Sequence, residues 1–188
     1  MKKLFGTDGM RGLAGEFPLD EQTIYTVGKS LAKQFAEKHG RSASFITGRD
    51  TRESGEWIEL AFHAGAKSEE AHCESADIIT TPGVAFLTKK FDFDAGIVIS
   101  ASHNPFEDNG IKIFSPSGKK LDGETERLIE KDIYEAHWAV VNNQWAVDFS
   151  NAETYQEAYL EYLTEEFKNL SLENFKMVID CANGAASH

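Results

Sequence analysis

"ISASHNPFEDNGIKIF", residues 99–114, decides how this chain is read. An apolar run ends at Ile99 and gives way to small residues, a histidine, a proline, acids and an Asn-Gly pair. The chain then returns as Ile111, Ile113 and Phe114, with Lys112 between the isoleucines. "AGIVIS" (95–100) before it is apolar at successive positions, which predicts a strand buried on both faces. "IKIF" (111–114) predicts a second strand. In open α/β sheets ligands bind beyond the carboxyl ends of the strands, which is where a loop over 100–110 would lie. Ser100, Ala101 and Ser102 let a ligand approach closely, Pro105 stiffens the loop, and Asn109-Gly110 turns it back. On pattern alone, an ordinary excursion between strands with a helix-capping serine is the stronger reading. A serine nucleophile is the alternative.

The rest of the chain alternates in type. Residues 20–39 predict a helix, with Asp20 as cap, Ile24, Val27, Leu31 and Phe35 as its stripe, and Gly40 as its end. "SASFITG" (42–48) predicts a strand, and Ser54 in "GRDTRESG" (48–55) a cap for the helix carrying Trp57, Leu60, Ala61 and Ala64. "ADIIT" (76–80) predicts a short strand, and Thr81-Pro82 a cap and first turn of a helix through Leu87. "SPSG" (115–118) reads as a turn, followed by acid-rich helices near 122–137 and 152–169, the second with Tyr155, Tyr159, Leu163 and Phe167. "KMVIDCANGA" (176–185) predicts a new strand running into a turn. Strands alternating with helices give the α/β class. A domain boundary is expected within 142–152, with a first domain over 1–148 and the beginning of a second over 149–188.

Composition limits the function. A 41% hydrophobic content with 13 Phe belongs to a folded globular protein. The formal charge of −12, concentrated in the C-terminal third, argues against nucleic acid and anionic membrane as partners. No apolar run is long enough to span a bilayer, and "MKKLFGTDG" has no apolar core of a signal peptide. Cys73 and Cys181, far apart and without a C-x-x-C pattern, read as reduced thiols of a cytoplasmic protein.

A Ser-His-Asp hydrolase is disfavoured, because His103 adjoins Ser102 in sequence and no G-x-S-x-G elbow is present. Phosphoryl transfer fits better. A phosphorylated serine carries roughly −1.5 to −2 charges and needs cations nearby. Lys112 returns on the next strand, and Arg11, Arg49 and Arg52 lie in loops. For Arg49 and Arg52 the preferred reading is structural, as ion pairs with Asp50 and Glu53. His39, His63, His72 and His137 read as ordinary helix or loop residues.

"FGTDGMRG" (5–12), "GRDTRESG" (48–55), "TTPGVAFLT" (80–88), "ISASHNPFEDNGIKIF" (99–114) and "VIDCANGAA" (178–186) occur together and in this order. The chain in this respect resembles the α-D-phosphohexomutases over essentially its whole length. Its opening and its serine loop are most similar to the branch acting on glucosamine phosphates, with the phosphoglucomutase and phosphomannomutase branches as the alternative. The resemblance implies a three-layer α/β/α first domain with a mixed sheet, followed by the start of a second α/β domain. It implies a phosphoserine at Ser102 that passes its phosphoryl group to a hexose phosphate through a bisphosphate intermediate, primed by a hexose 1,6-bisphosphate. Lys112 and His103 match acid–base positions, Arg11 the arginine facing the phosphate, and Arg11, Asn104 and Lys112 the substrate-phosphate contacts. Mg²⁺ is implied at the Ser102 phosphate, held by aspartates of a D-G-D-x-D-R loop that this sequence lacks. The partner implied is a phosphorylated amino sugar or hexose phosphate. The expectation is therefore the amino-terminal part of a longer cytoplasmic enzyme, inactive alone. A non-catalytic module that forms a homodimer through the first domain is the competing function.

Overall fold

The computed structural model describes residues 3–136 and 146–187. Five strands form one mixed sheet: β1 (Met10–Leu13), β2 (Ser44–Arg49), β3 (His72–Ile78), β4 (Ala95–Ile99) and β5 (Asp108–Phe114), in the order β1-β5-β4-β2-β3. β2 is parallel to β3 and β4, while β5 is antiparallel to both β4 and β1. The helices are α1 (Glu21–His39), α2 (Gly55–Lys67), α3 (Thr81–Lys90), α4 (Gly123–Glu135) and α5 (Ala152–Glu166). The apolar strand over 95–99 is the middle of the sheet, and each of its residues is buried.

Alternation along the strands sends side chains to two cores. Phe45, Ile97, Ile99, Ile111 and Ile113 pack with Ile24, Leu31, Phe62 and Ile129, from α1, α2 and α4. Ile46, Val98 and Phe114 point the other way, to Val84 and Leu87 of α3 and Tyr155 of α5. The result is three layers, α/β/α, with helices on both faces of the sheet. α5 is tied to β3 through Glu74, which accepts from Tyr155 Oη (2.8 Å) and Asn151 Nδ2 (2.6 Å).

α1 begins and ends as its sequence dictates. Asp20 accepts from the Thr23 amide, and Gly40 closes the helix in the left-handed conformation (φ 66°). Elsewhere the ends differ from expectation. The α3 cap is Thr80, not Thr81, so Pro82 sits one residue deeper in the first turn, and the helix continues to Lys90. Ser54 occupies the cap position of α2 but makes no capping bond; its hydroxyl accepts from Asn109 Nδ2 instead (2.8 Å). β3 begins four residues earlier than expected, because its first residues pair with β2 from Ser44 onward. β1 was not foreseen. Residues 176–180 form no strand: Val178 and Ile179 are exposed, and no other described strand lies beside them to supply ladder hydrogen bonds. The helix expected to 137 is described to Glu135, and His137 and residues 142–145 of the expected boundary segment lie outside the described residues.

Candidate active site

Strand order creates the site. β2 runs through α2 to β3 on one side, and β3 returns through α3 to β4 on the other, across the opposite face of the sheet. The loops after the adjacent parallel strands β2 and β4 are left side by side at one edge, a topological switch point. The β4–β5 loop carries Ser102, His103 and Asn104, and the β2–α2 loop carries Asp50 and Arg52.

Ser102 is exposed and adopts a left-handed backbone (φ 58°), unusual for a residue with a side chain. Its amide donates to Ser100 Oγ (3.0 Å), and Ser100 Oγ donates to Asp50 Oδ2 (2.6 Å). Its hydroxyl lies 3.5 Å from His103 Nδ1. That distance brings the two into one neighbourhood without making a strong hydrogen bond. Asn104 turns inward: its side-chain amide donates to Asp108 Oδ2 (2.9 Å) and its backbone N–H to Ala101 O (3.2 Å).

Arg11 and Lys112 come from neighbouring strands. The antiparallel register sets Arg11 opposite Gly110 and Lys112 opposite Val98. Lys112 points to the α3 side of the sheet, its ammonium 5.6 Å from the Phe114 ring centre. The register puts Arg11 on the same side, and Gly110, without a side chain, leaves it room: a Cβ there would lie 2.9 Å from Arg11 Cγ and 2.8 Å from Ser100 O. Both cations meet Asp8, at 3.9 Å from Arg11 and 4.0 Å from Lys112. These distances are loose for ion pairs. Arg11 Nε is buried and has no hydrogen-bond partner among the described residues, so the arginine retains an unused donor suited to an anion. Ser102 and His103 therefore form one group on the loop, and Arg11, Lys112 and Asp8 a second group on β5 and its edge.

Two features escaped the sequence. Arg52 does pair with Asp50 (Nε to Oδ2, 3.1 Å), as expected, but its other donors reach main-chain carbonyls of the serine loop: Ser102 (2.9 Å), Asn104 (2.9 Å), Asp108 (2.9 Å) and Pro105. No local pattern encodes that contact, since it depends on two loops 50 residues apart meeting. Arg49 departs from expectation. Its partners are Glu59 (3.3 Å), Asp77 (2.7 Å) and Glu56 (3.6 Å), not Asp50 or Glu53. Strand alternation turns Arg49 toward α2, while Asp50 turns toward Ser100.

The second feature lies beneath. Glu59, fully buried, accepts from Thr47 Oγ1, Ser75 Oγ (2.6 Å) and Arg49. Burial pushes its carboxyl pKa up against these donors. His63 lies 2.9 Å from Thr47 Oγ1, and burial lowers its pKa to about 3. It is a neutral core histidine, with Nδ1 lacking a partner among the described residues. Among the described residues no three His, Cys, Asp or Glu side chains gather into a set that could hold a metal ion.

Comparison with known proteins bears on the family and the fold. Residues 2–139 match the family model for phosphoglucomutase/phosphomannomutase, alpha/beta/alpha domain I. Phosphoglucosamine mutase of Koribacter versatilis is 42% identical over 191 residues, covering 100% of this chain and 41% of the relative. That of Solibacter usitatus is 44% identical, over 98% of this chain and 41% of the relative. The chain thus spans about two fifths of the length of the curated relatives it matches. A crystal structure of a phosphoglucomutase/phosphomannomutase family protein from Burkholderia thailandensis superposes with a TM-score of 0.66 over 92% of this chain and 37% of that one, at 19% identity, a likeness of fold. On these matches the chain belongs to the phosphoglucomutase/phosphomannomutase family and contains its α/β/α domain I.

Proposed function

We propose that this chain is the phosphoserine-bearing, amino-terminal portion of a cytoplasmic phosphohexomutase that interconverts glucosamine 6-phosphate and glucosamine 1-phosphate. The observation that carries the proposal is Ser102 itself, raised in a left-handed elbow beyond the central strand, with Arg11 and Lys112 on the next two strands. Identity of 42% and 44% to phosphoglucosamine mutases supports the choice of sugar.

In this reading Ser102 Oγ carries the phosphoryl group. The bond from phosphorus to Ser102 Oγ breaks as a bond to the sugar hydroxyl oxygen forms. The hydroxyl proton passes to a base, for which Lys112 is the candidate, and Ser102 Oγ is reprotonated from the His103 side. The sugar bisphosphate then returns its other phosphoryl group to Ser102, and a hexose 1,6-bisphosphate loads the serine at the start. Arg11 faces the transferring phosphate with its unused Nε donor; Asn104 and Lys112 complete the phosphate contacts. Positioning and charge stabilisation account for most catalysis of this reaction type. The Mg²⁺ implied by the family would add a cation at the Ser102 phosphate, and among the described residues no three His, Cys, Asp or Glu side chains gather to hold it. The ion's carboxylate ligands belong to the remainder of the enzyme.

The division into a first domain over 1–148 and a second beginning at 149 is part of the same proposal, as is a homodimer of the whole enzyme. No described helix is long and apolar enough to cross a membrane. The test is intact-mass analysis of the full-length enzyme after incubation with a hexose 1,6-bisphosphate and Mg²⁺, with Ser102→Ala beside it. One phosphoryl adduct is expected on Ser102, absent in the variant, with mutase turnover lost and the fold kept. Turnover near wild type in Ser102→Ala would show that another group carries the phosphate.

A further inference from the structure

The guanidinium of arginine has five N–H donors in a rigid plane. In Arg52 all five are engaged. Nε donates to Asp50 Oδ2 (3.1 Å), one terminal nitrogen to the carbonyls of Pro105 and Asp108 (2.9 Å), and the other to those of Ser102 (2.9 Å) and Asn104 (2.9 Å). The side chain is 10% exposed. Asp50, held by Arg52, accepts from Ser100 Oγ (2.6 Å), and Ser100 Oγ accepts from the Ser102 amide (3.0 Å). Ser102 is thus gripped on both sides, at its N–H and at its C=O, by one closed ring of hydrogen bonds running through Arg52, Asp50 and Ser100.

That ring has a specific task. Ser102 occupies a left-handed conformation that side-chain residues avoid. Such a conformation persists only where its surroundings over-determine it. The loop offers little else: Ser102, His103, Pro105, Phe106 and Glu107 are all exposed, and Phe106 is 80% exposed. A lysine at 52 has three donors on a flexible stem and cannot serve five acceptors from one plane.

We propose that Arg52 is a positioning residue, which holds Ser102 Oγ in line for phosphoryl transfer without touching the substrate. This rests on the phosphoserine reading above. Direct contact between Arg52 and the phosphate is disfavoured, since no donor is free and the side chain is enclosed. The closeness of in-line geometry required for transfer makes a small displacement of Ser102 costly; a misplacement of about 1 Å is worth about 100-fold in rate.

The test uses the full-length enzyme with Arg52→Lys and Arg52→Gln. The expected result is a kcat lower by about 100-fold with KM for the sugar phosphate within about threefold, the pattern of a group acting only in the transition state. The pH profile of kcat should keep its shape, because Arg52 moves no proton. Amide hydrogen exchange at Ser102 and Asn104 should quicken about tenfold or more, while amides of β4 and α1 stay protected. Ser100→Ala, which opens the ring from its other side, should give the same pattern more weakly and guards against misfolding of the arginine variants. Loss of affinity with kcat intact would place Arg52 on the substrate and overturn the proposal. So would an unchanged kcat, or a slowed reaction with loop exchange unaltered. Failure of the wild type to take phosphate on Ser102 would remove the phosphoserine reading and the role in transfer with it, an outcome the exchange data identify separately because they do not depend on phosphate.

Discussion

Lys112→Met separates chemistry from packing, because the structure predicts opposite sizes for the two effects. The methionine keeps an unbranched apolar stem and loses the ammonium. On the stability side, the ammonium sits 4.0 Å from Asp8, whose side chain is 60% exposed. A pair that loose and wet contributes about 0–0.5 kcal/mol. The approach to the Phe114 ring, at 5.6 Å, adds about 0.5 kcal/mol at a partly exposed site. A thioether against the same ring recovers about 0.3 kcal/mol or more. The net loss is below about 1 kcal/mol, a melting shift of at most about 4 °C for a chain of this size. On the chemical side, removing an acid–base group lowers turnover by about 100-fold to 10,000-fold. The assay is coupled conversion of glucosamine 6-phosphate by the full-length enzyme, run beside thermal unfolding of the same preparations. A melting temperature lowered by more than about 8 °C with turnover preserved would refute the assignment and make Lys112 a packing residue.

Two further outcomes test the scaffold. Gly65→Ala gains about 1 kcal/mol of helix propensity, but the added Cβ would lie 1.9 Å from Tyr25 O of α1; backbone cannot swing aside, so a net loss of about 2 kcal/mol is expected in denaturant unfolding, and a stabilised variant would show that α1 and α2 separate freely. His63 stays neutral in the folded protein down to about pH 3, whereas an unfolded histidine takes its proton near 6.5, so between these values the unfolded state binds the extra proton and stability falls as pH falls. From pH 7.5 to pH 5 the histidine contributes a loss of about 2 kcal/mol. Glu59, raised by burial, acts in the opposite sense at acid pH, so the readout is the difference between wild type and His63→Gln, and parallel pH profiles would contradict a buried neutral histidine.

Local chemistry made some elements legible and long-range contact hid others. Asp20 and Gly40 bracket α1 because a cap and a left-handed stop are encoded within one turn. The middle strand was legible because every residue of "AGIVI" is apolar or small. β1 was not, since only Met10 of its four residues is buried and its strand geometry exists because β5 offers an antiparallel edge. The displaced α3 cap reflects two adjacent threonines, Thr80 and Thr81, of equal capping chemistry. The partners of Arg49 were misplaced because a buried polar network between α2, β2 and β3 has no periodic signature, and only tertiary packing brings Thr47, Glu59 and Ser75 together. At the site, the motif singled out Ser102, Lys112 and Arg11 as candidates. The ring that fixes Ser102 required the two loops in space.

Charge sets a limit on what these residues can do unaided. Arg52 is balanced by Asp50, and of the remaining cations Arg11 and Lys112 share the single carboxylate of Asp8. The group of Arg11, Lys112 and Asp8 therefore carries one net positive charge. A phosphoserine carries roughly −1.5 to −2 charges at neutral pH. The sugar phosphate that must enter brings a comparable charge of its own. Two anions of that size repel, the more strongly the less water screens them. On the phosphoserine reading, the single net charge of Arg11, Lys112 and Asp8 leaves the encounter of the two phosphates uncompensated. In the proposed function the missing positive charge comes from the Mg²⁺ at Ser102 and from cationic groups of the rest of the enzyme. In the proposed function the first domain is in this sense a carrier: its sheet order and its Arg52 ring would fix where the phosphoryl group stands, and the charge that permits transfer would arrive from outside it.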